Sequence, residues 1–287
     1  MQPGPDRSSR IMGDGHVHIH DSFDCGELFA AALKNFTRYA QSLQLTGMVH
    51  FFLLLTESAG TEAFIRLRDA HPGQHNGSGG SNGFTVRPTG DANCLRVALN
   101  SGSGDELFVV AGRQIVTAES LEVLALGLDA PYPDGRPIRK ILEELQKKDC
   151  LLALPWGAGK WLGKRGRIVE EIVTSFRSPA FFLGDNGNRP FFWPGPAVFS
   201  QAAAAGIWNL QGSDPLPFAG QEQRAGSFGF HFPGTLYSEH PFQSLRQQLI
   251  DPETNIHSFG RPERALPFFH LQISMQLSKH FSRNSSK

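Results

Sequence analysis

Residues 13–25 read GDGHVHIHDSFDC, which places His16, His18 and His20 on every second position with Asp21 and Asp24 behind them. Alternate side chains of an extended strand project from one face, so the imidazoles of His16 and His18 can share one metal ion. Two surface histidines would give the same letters. What decides between the readings is whether the rest of the chain builds a domain with this stretch on an inner strand.

Short apolar runs recur at 48–55, 107–110, 121–126, 151–154, 180–183 and 207–210, each of a length suited to a buried strand. With 16–20 they make seven expected strands. Between them lie stripes of helical period: Leu28, Ala32, Phe36, Tyr39 and Leu43; then Ile138, Ile141, Leu142 and Leu145 behind Pro137. Ile168, Ile172, Val173 and Phe176 make a third stripe, and 198–205 a short alanine-rich fourth. Strands alternating with helices imply parallel pairing through right-handed crossovers, hence an α/β barrel or a doubly wound sheet. HPGQHNGSGGSNG at 71–83 breaks the alternation as a glycine- and serine-rich loop, and 84–87 and 94–99 resemble short strands. The segment 71–117 is therefore expected to be a loop and small β insertion. Residues 1–10 read as a disordered leader and 11–217 as the domain. The Pro- and Phe-rich tail 218–287, with a helix at 241–250, is expected to pack across it.

Composition narrows the functional classes. The 287 residues are 40% hydrophobic, enough for one large core, and Lys+Arg and Asp+Glu are both 27. A net charge of zero gives no overall field to attract nucleic acid or an anionic membrane, so an anionic ligand must be held locally. Cys25, Cys94 and Cys150 are odd in number and widely spaced, which argues against both a disulfide framework and a thiolate zinc site. The N-terminus lacks an apolar signal-peptide core, and the longest apolar run, Val49–Leu55, is too short to span a bilayer. These features predict a cytoplasmic protein.

Polar or ionisable residues follow nearly every expected strand: Glu57, Gln114 and Glu119, Trp156 and Lys160, Asp185 and Asn186, and Asp214. That is the arrangement one rim of a barrel site requires. PWGAGKWLGKRGR at 155–167 adds Lys160, Lys164, Arg165 and Arg167 among glycines before a helix, where backbone amides and cations can bind phosphate. A basic first turn on a solvated helix reads the same way. GDNGNRP at 184–190 sets Asp185, Asn186 and Arg189 at a strand end, although a turn needs such residues for backbone reasons alone.

DGHVHIHDSFD resembles the opening motif of the polymerase and histidinol phosphatase (PHP) superfamily. LTGMVHFFLLLTE, LEVLALGLD, LLALPWGAGKW and LQGSDPLP resemble its later motifs in order, over roughly residues 12–220. The resemblance implies a distorted, TIM-like (β/α)7 barrel and metal-dependent phosphoester hydrolysis with up to three divalent ions. Several positions depart from the family pattern. Glu57, Glu122 and Leu154 stand where the family has histidine, Gln114 stands where it has glutamate, and the last motif reads SDPL in place of Ser-Asp-x-His. No histidine occurs between His75 and His231.

The ligand candidates left are His16, His18, Asp24, Glu57, Glu119 and Asp214, a carboxylate-rich set suited to one or two ions of Mn²⁺, Mg²⁺, Fe²⁺ or Zn²⁺. Glu119 is the candidate bridging ligand or base, with a helix-capping role as the alternative. Lys160 is the second catalytic candidate, and Lys164, Arg165, Asp185, Asn186 and Arg189 are candidates for holding a small phosphorylated or anionic ligand. Two further readings stay open. The chain can be a PHP-like binding or regulatory protein that has lost the chemistry, as Gln114, Leu154 and Leu216 suggest, or a hydrolase of C–N bonds, because HxH also opens amidohydrolase-like sites.

Overall fold

The computed structural model describes residues 9–70, 83–100, 106–193 and 195–262. The expected leader (through residue 8), most of the glycine-rich loop and the tail beyond residue 262 lie outside the described residues. The strands are β1 (Arg10–Val17), β2 (Val49–Leu55), β3 (Phe84–Pro88), β4 (Cys94–Leu99), β5 (Glu106–Val110) and β6 (Gly112–Val116), followed by β7 (Glu122–Leu126), β8 (Leu151–Pro155), β9 (Phe181–Asn186), β10 (Asn209–Gly212), β11 (Phe228–Pro233) and β12 (His257–Gly260). The helices are α1 (Cys25–Ser42), α2 (Ala63–Asp69), α3 (Ile138–Leu145), α4 (Lys164–Ser175), α5 (Ala197–Ala204) and α6 (Pro241–Leu249).

The strands form two mixed sheets, one ordered β12-β11-β1-β2-β5-β4-β3 and the other β10-β9-β8-β7-β6. Neither is closed, so the expected (β/α)7, TIM-like barrel is corrected to a sheet-rich α/β fold. Local chain lengths explain much of the difference. Only five residues separate β3 from β4, too few for a parallel crossover, and β3, β4 and β5 pair antiparallel. β6 pairs antiparallel with β7, and β7 with β8 although α3 lies between them. β11, from the segment expected to pack across the domain, pairs antiparallel with β1 inside the larger sheet. Parallel pairing survives in β1–β2, β2–β5, β8–β9 and β9–β10.

Residue alternation shows how the layers stack. Phe51, Leu53 and Leu55 of β2 pack with Leu28, Phe29 and Phe36 of α1, whereas Phe52 and Leu54 point the other way, toward Leu124, Leu151 and Phe182 of the smaller sheet. On β8, Leu151 and Ala153 face that shared core while Leu152 and Leu154 pack against α3, α4 and α5. The order is therefore helices, sheet, sheet, helices, with period-2 burial on both faces. The chain crosses from one sheet to the other between Val110 and Gly112. A Cβ at Gly112 would lie 2.1 Å from the carbonyl oxygen of Leu55, so only glycine allows that approach. Among the described residues, no helix is long and apolar enough to cross a membrane.

Candidate metal centre

β1 ends earlier than the HVHIH pattern suggests, at Val17, so His16 is the penultimate strand residue and His18 the first beyond it. The pairing of β1 with β2 shifts register between Asp14 and Val17, an irregularity of the kind that re-aims side chains. Both imidazoles nonetheless converge: His16 Nε2 and His18 Nε2 are 3.1 Å apart. The opposite wall is Asp214, two residues after β10, whose Oδ1 lies 3.5 Å from each of those nitrogens.

Two features bring β10 this close to β1. Neither strand carries a side chain at the crossing: a Cβ on Gly212 would sit 2.2 Å from His16 N, and one on Gly15 would sit 2.8 Å from the Gln211 carbonyl oxygen. Asp14 then ties the turn down. Its carboxylate accepts from Ser213 Oγ at 2.5 Å, Ser213 N at 2.8 Å, Gly226 N at 2.8 Å and His16 N at 3.2 Å. Burial pushes the Asp14 carboxyl up to about 6 despite these four donors.

Asp214 adopts a left-handed backbone with φ 50°, a conformation that Asp and Asn tolerate better than most residues. The Asp214 N–H donates to the His16 carbonyl oxygen at 2.8 Å, and Asn188 Nδ2 donates to the Asp214 carbonyl oxygen at 2.7 Å. Asn186 Nδ2 donates to Asp214 Oδ2 at 3.0 Å and to the Trp156 carbonyl oxygen at 2.9 Å. Burial alone would raise the Asp214 carboxyl, but His16, His18 and Lys160 together hold it below the usual carboxylate range. Burial, helped by the neighbouring His16, pushes His18 down to about 3 and keeps its ring neutral.

The donor set fits a metal ion. Ligand atoms of His16, His18 and Asp214 all lie within 4.8 Å of one another, close enough for one ion at metal–ligand lengths of about 2 Å. A neutral imidazole offers its lone pair, and a charge-stabilised carboxylate stays deprotonated. Gln114 Oε1 adds a carbonyl 3.1 Å from His16 Nε2. The buried Oδ1 atoms of Asn186 and Asn188 have no protein partner and so can accept from a ligand or water. The three ligands line a cavity of about 310 Å³ together with Gln114, Glu122, Trp156 and Lys160. Lys160 Nζ forms an ion pair with Glu122 Oε1.

Of the candidates expected from sequence, the structure gathers His16, His18, Asp214, Lys160 and Asn186 around this cavity. The others sit elsewhere. Asp24 caps α1, accepting from Glu27 N at 3.0 Å. Glu57 is buried, 3.1 Å from Arg113 Nη1, and accepts from Phe64 N at 2.8 Å. Glu119 accepts from Ile138 N at 3.0 Å, which places it at the first residue of α3. Lys164 opens α4 outside the cavity lining, and Arg165 donates to the carbonyl oxygens of Gly159 and Ser120. Asp185 and Arg189 hold each other through two hydrogen bonds of 2.7 and 2.8 Å. His20, the third histidine of the alternating pattern, lines the cavity and contacts the Pro215 carbonyl oxygen at 3.0 Å.

Asp14, Glu122 and Asn188 belong to the site without having been singled out as site residues, and Gln114 was placed on the rim without a role. Gln114 and Glu122 were visible as departures at motif positions. Asn188 carried only the signature of a turn, and Asp14 preceded the histidines without any signal of what it would hold.

No protein-family model matches the chain, and no curated protein matches it. Among solved structures, the crystal structure of PsfC from Pseudomonas syringae PB-5123 aligns with a TM-score of 0.49 at 13% sequence identity, over 95% of this chain and 99% of that one.

Proposed function

We propose that this protein is a metal-dependent hydrolase of small phosphate esters, working at the centre built from His16, His18 and Asp214. The observation that carries the reading is the convergence of those three ligand atoms within 4.8 Å, on a cavity that Lys160 also lines. The PHP-like wording of the opening and closing motifs supports it independently of the barrel. Two imidazoles and a carboxylate suit Mn²⁺, Fe²⁺ or Zn²⁺ better than Mg²⁺, which prefers an all-oxygen shell.

A bound divalent ion supplies a water of lowered pKa and neutralises charge on a phosphoryl oxygen. The chain's own residues do the rest. His16, His18 and Asp214 would hold the ion, with Asn186 and Asn188 fixing Asp214 by its side chain and its backbone. Gln114 directs its amide oxygen at the same point. Lys160 presents an ammonium to the anionic group, and the cavity of about 310 Å³ limits the ligand to a small molecule. Three free cysteines favour a reducing compartment, so we place the protein in the cytoplasm.

The test compares purified wild type with a His16→Ala/His18→Ala variant by metal analysis and by hydrolysis of an aryl phosphate with added Mn²⁺. Wild type is expected to retain stoichiometric metal and turn over, and the variant to do neither. Equal trace metal in both, with no hydrolysis, would sink the reading. Metal binding without hydrolysis would favour a binding or regulatory role.

A further inference from the structure

The carboxylates that a second metal ion would need are committed to other partners. Glu57 is held by Arg113 and the Phe64 N–H, Glu119 by the Ile138 N–H, Asp24 by the Glu27 N–H and Asp185 by Arg189. Among the described residues, one cluster of three ligands remains. The single extra carboxylate facing the cavity is Glu122, and it holds the ammonium of Lys160. Lys160 lines the same cavity as His16, His18 and Asp214. Its aliphatic chain crosses the backbone at Gly157, where a Cβ would lie 2.7 Å from Lys160 Cδ. Glycine at 157 thus leaves room for the lysine to fold inward.

From this arrangement we infer that the site takes one divalent ion and that Lys160, steered by Glu122, is its second cation, sharing the ligand's phosphate oxygens with the metal. The inference deepens the proposed phosphoester reading and rests on the same cavity. Formal charge agrees with it. With the histidines of the lining counted as neutral, Asp214, Glu122 and Lys160 leave it with one net negative charge. One divalent ion turns that to +1, which suits a phosphate group, whereas a second ion would have to displace Lys160 from Glu122. The Lys160 side chain is 36% exposed and Glu122 14%, so the ammonium is reachable by a ligand while its carboxylate partner stays back in the wall.

The experiment counts ions and measures phosphate binding on the full chain, without requiring turnover. Equilibrium titration with Mn²⁺ should reach one ion per chain in wild type and in Lys160→Met. Inorganic phosphate should bind the Mn²⁺-loaded Lys160→Met protein roughly tenfold more weakly than wild type, the size of one lost charge-assisted hydrogen bond. Lys160→Arg should retain most of the affinity. A Lys160→Met/Glu122→Gln variant removes the carboxylate left bare in the single variant, and it should remain weak. Recovery of phosphate binding in that double variant would show that the bared Glu122 charge caused the loss, and would overturn the inference. Two Mn²⁺ per chain in wild type, no bound Mn²⁺, or unchanged phosphate affinity in Lys160→Met would each overturn it too. The two readings fail separately. One ion and a Lys160-dependent phosphate site without hydrolysis refutes the hydrolase alone, and two ions with hydrolysis refutes this inference alone.

Discussion

Asp214 donates its backbone N–H to the carbonyl oxygen of His16 across 2.8 Å, joining the end of β1 to the turn after β10. That bond fixes the separation of the two residues through the main chain, so their side chains meet at the cavity without either having to be placed by its own rotamer alone.

Asp214→Asn should keep the fold and weaken the metal. Asparagine tolerates the left-handed φ of 50° at this position, so the turn survives, while the anionic ligand is lost. Mn²⁺ affinity should fall on the order of a hundredfold, with the melting temperature of the metal-free protein nearly unchanged. Equal Mn²⁺ affinity in the two proteins would remove Asp214 from the ligand set.

Gly212→Ala should damage both stability and metal binding. The added methyl would sit 2.2 Å from the backbone nitrogen of His16, which has no flexible end to swing aside. Pushing the strands apart should cost roughly 2 kcal/mol, read as a lower midpoint in urea, and should weaken Mn²⁺ binding in parallel. An alanine variant as stable as wild type would show that the crossing is looser than described.

Glu57→Gln separates a structural carboxylate from a ligating one. Arg113 is buried and also donates to the carbonyl oxygens of Thr61 and Asp129. Stripping its counter-charge should cost about 3 kcal/mol. Mn²⁺ stoichiometry and affinity, measured where the variant is fully folded, should not move. A loss of metal with stability preserved would reverse that assignment.

His231 should add an acid-sensitive component to stability. It sits in the larger sheet opposite Met12 and His257, and burial first, then the charges of His257 and Arg10, push it down to about 4. The unfolded chain, with an ordinary value of about 6.5, takes up the proton first. The stability contributed by neutral His231 is therefore present above about pH 6.5 and lost as the pH falls toward 4. Asp14, raised to about 6, acts in the opposite sense. The readout is accordingly the difference between proteins: the change in urea midpoint between pH 7 and pH 5 should be less acid-destabilising in His231→Gln than in wild type. Identical slopes would show that His231 titrates alike in both states.

Much of the secondary structure was legible because burial follows local periodicity. The stripe from Leu28 through Phe36 became the buried face of α1, and Ile138, Ile141, Leu142 and Leu145 that of α3. Runs such as 151–154 became strands buried on both sides. Pairing direction was not legible. The alternation of helix with strand suggested parallel crossovers throughout, yet β7 and β8 run antiparallel across α3, and β11 returns from the far end of the chain to lie beside β1. An apolar run records that a strand is buried and leaves its neighbour unstated.

The site divides along the same line. The sequence by itself set His16 and His18 at alternate positions, which extended backbone turns to one face, and put Asp214 and Lys160 after later strands. Only the tertiary structure decided which carboxylate faces them. Glu57, Asp24, Glu119 and Asp185 have the right chemistry, but Arg113, two helix starts and Arg189 hold them elsewhere. Asp214 is brought in by a crossing of two glycine-bearing strands locked by Asp14. Ligation depends on distances of a few ångströms between residues far apart in the chain, and those distances are set by strand order and close packing, which no local pattern encodes.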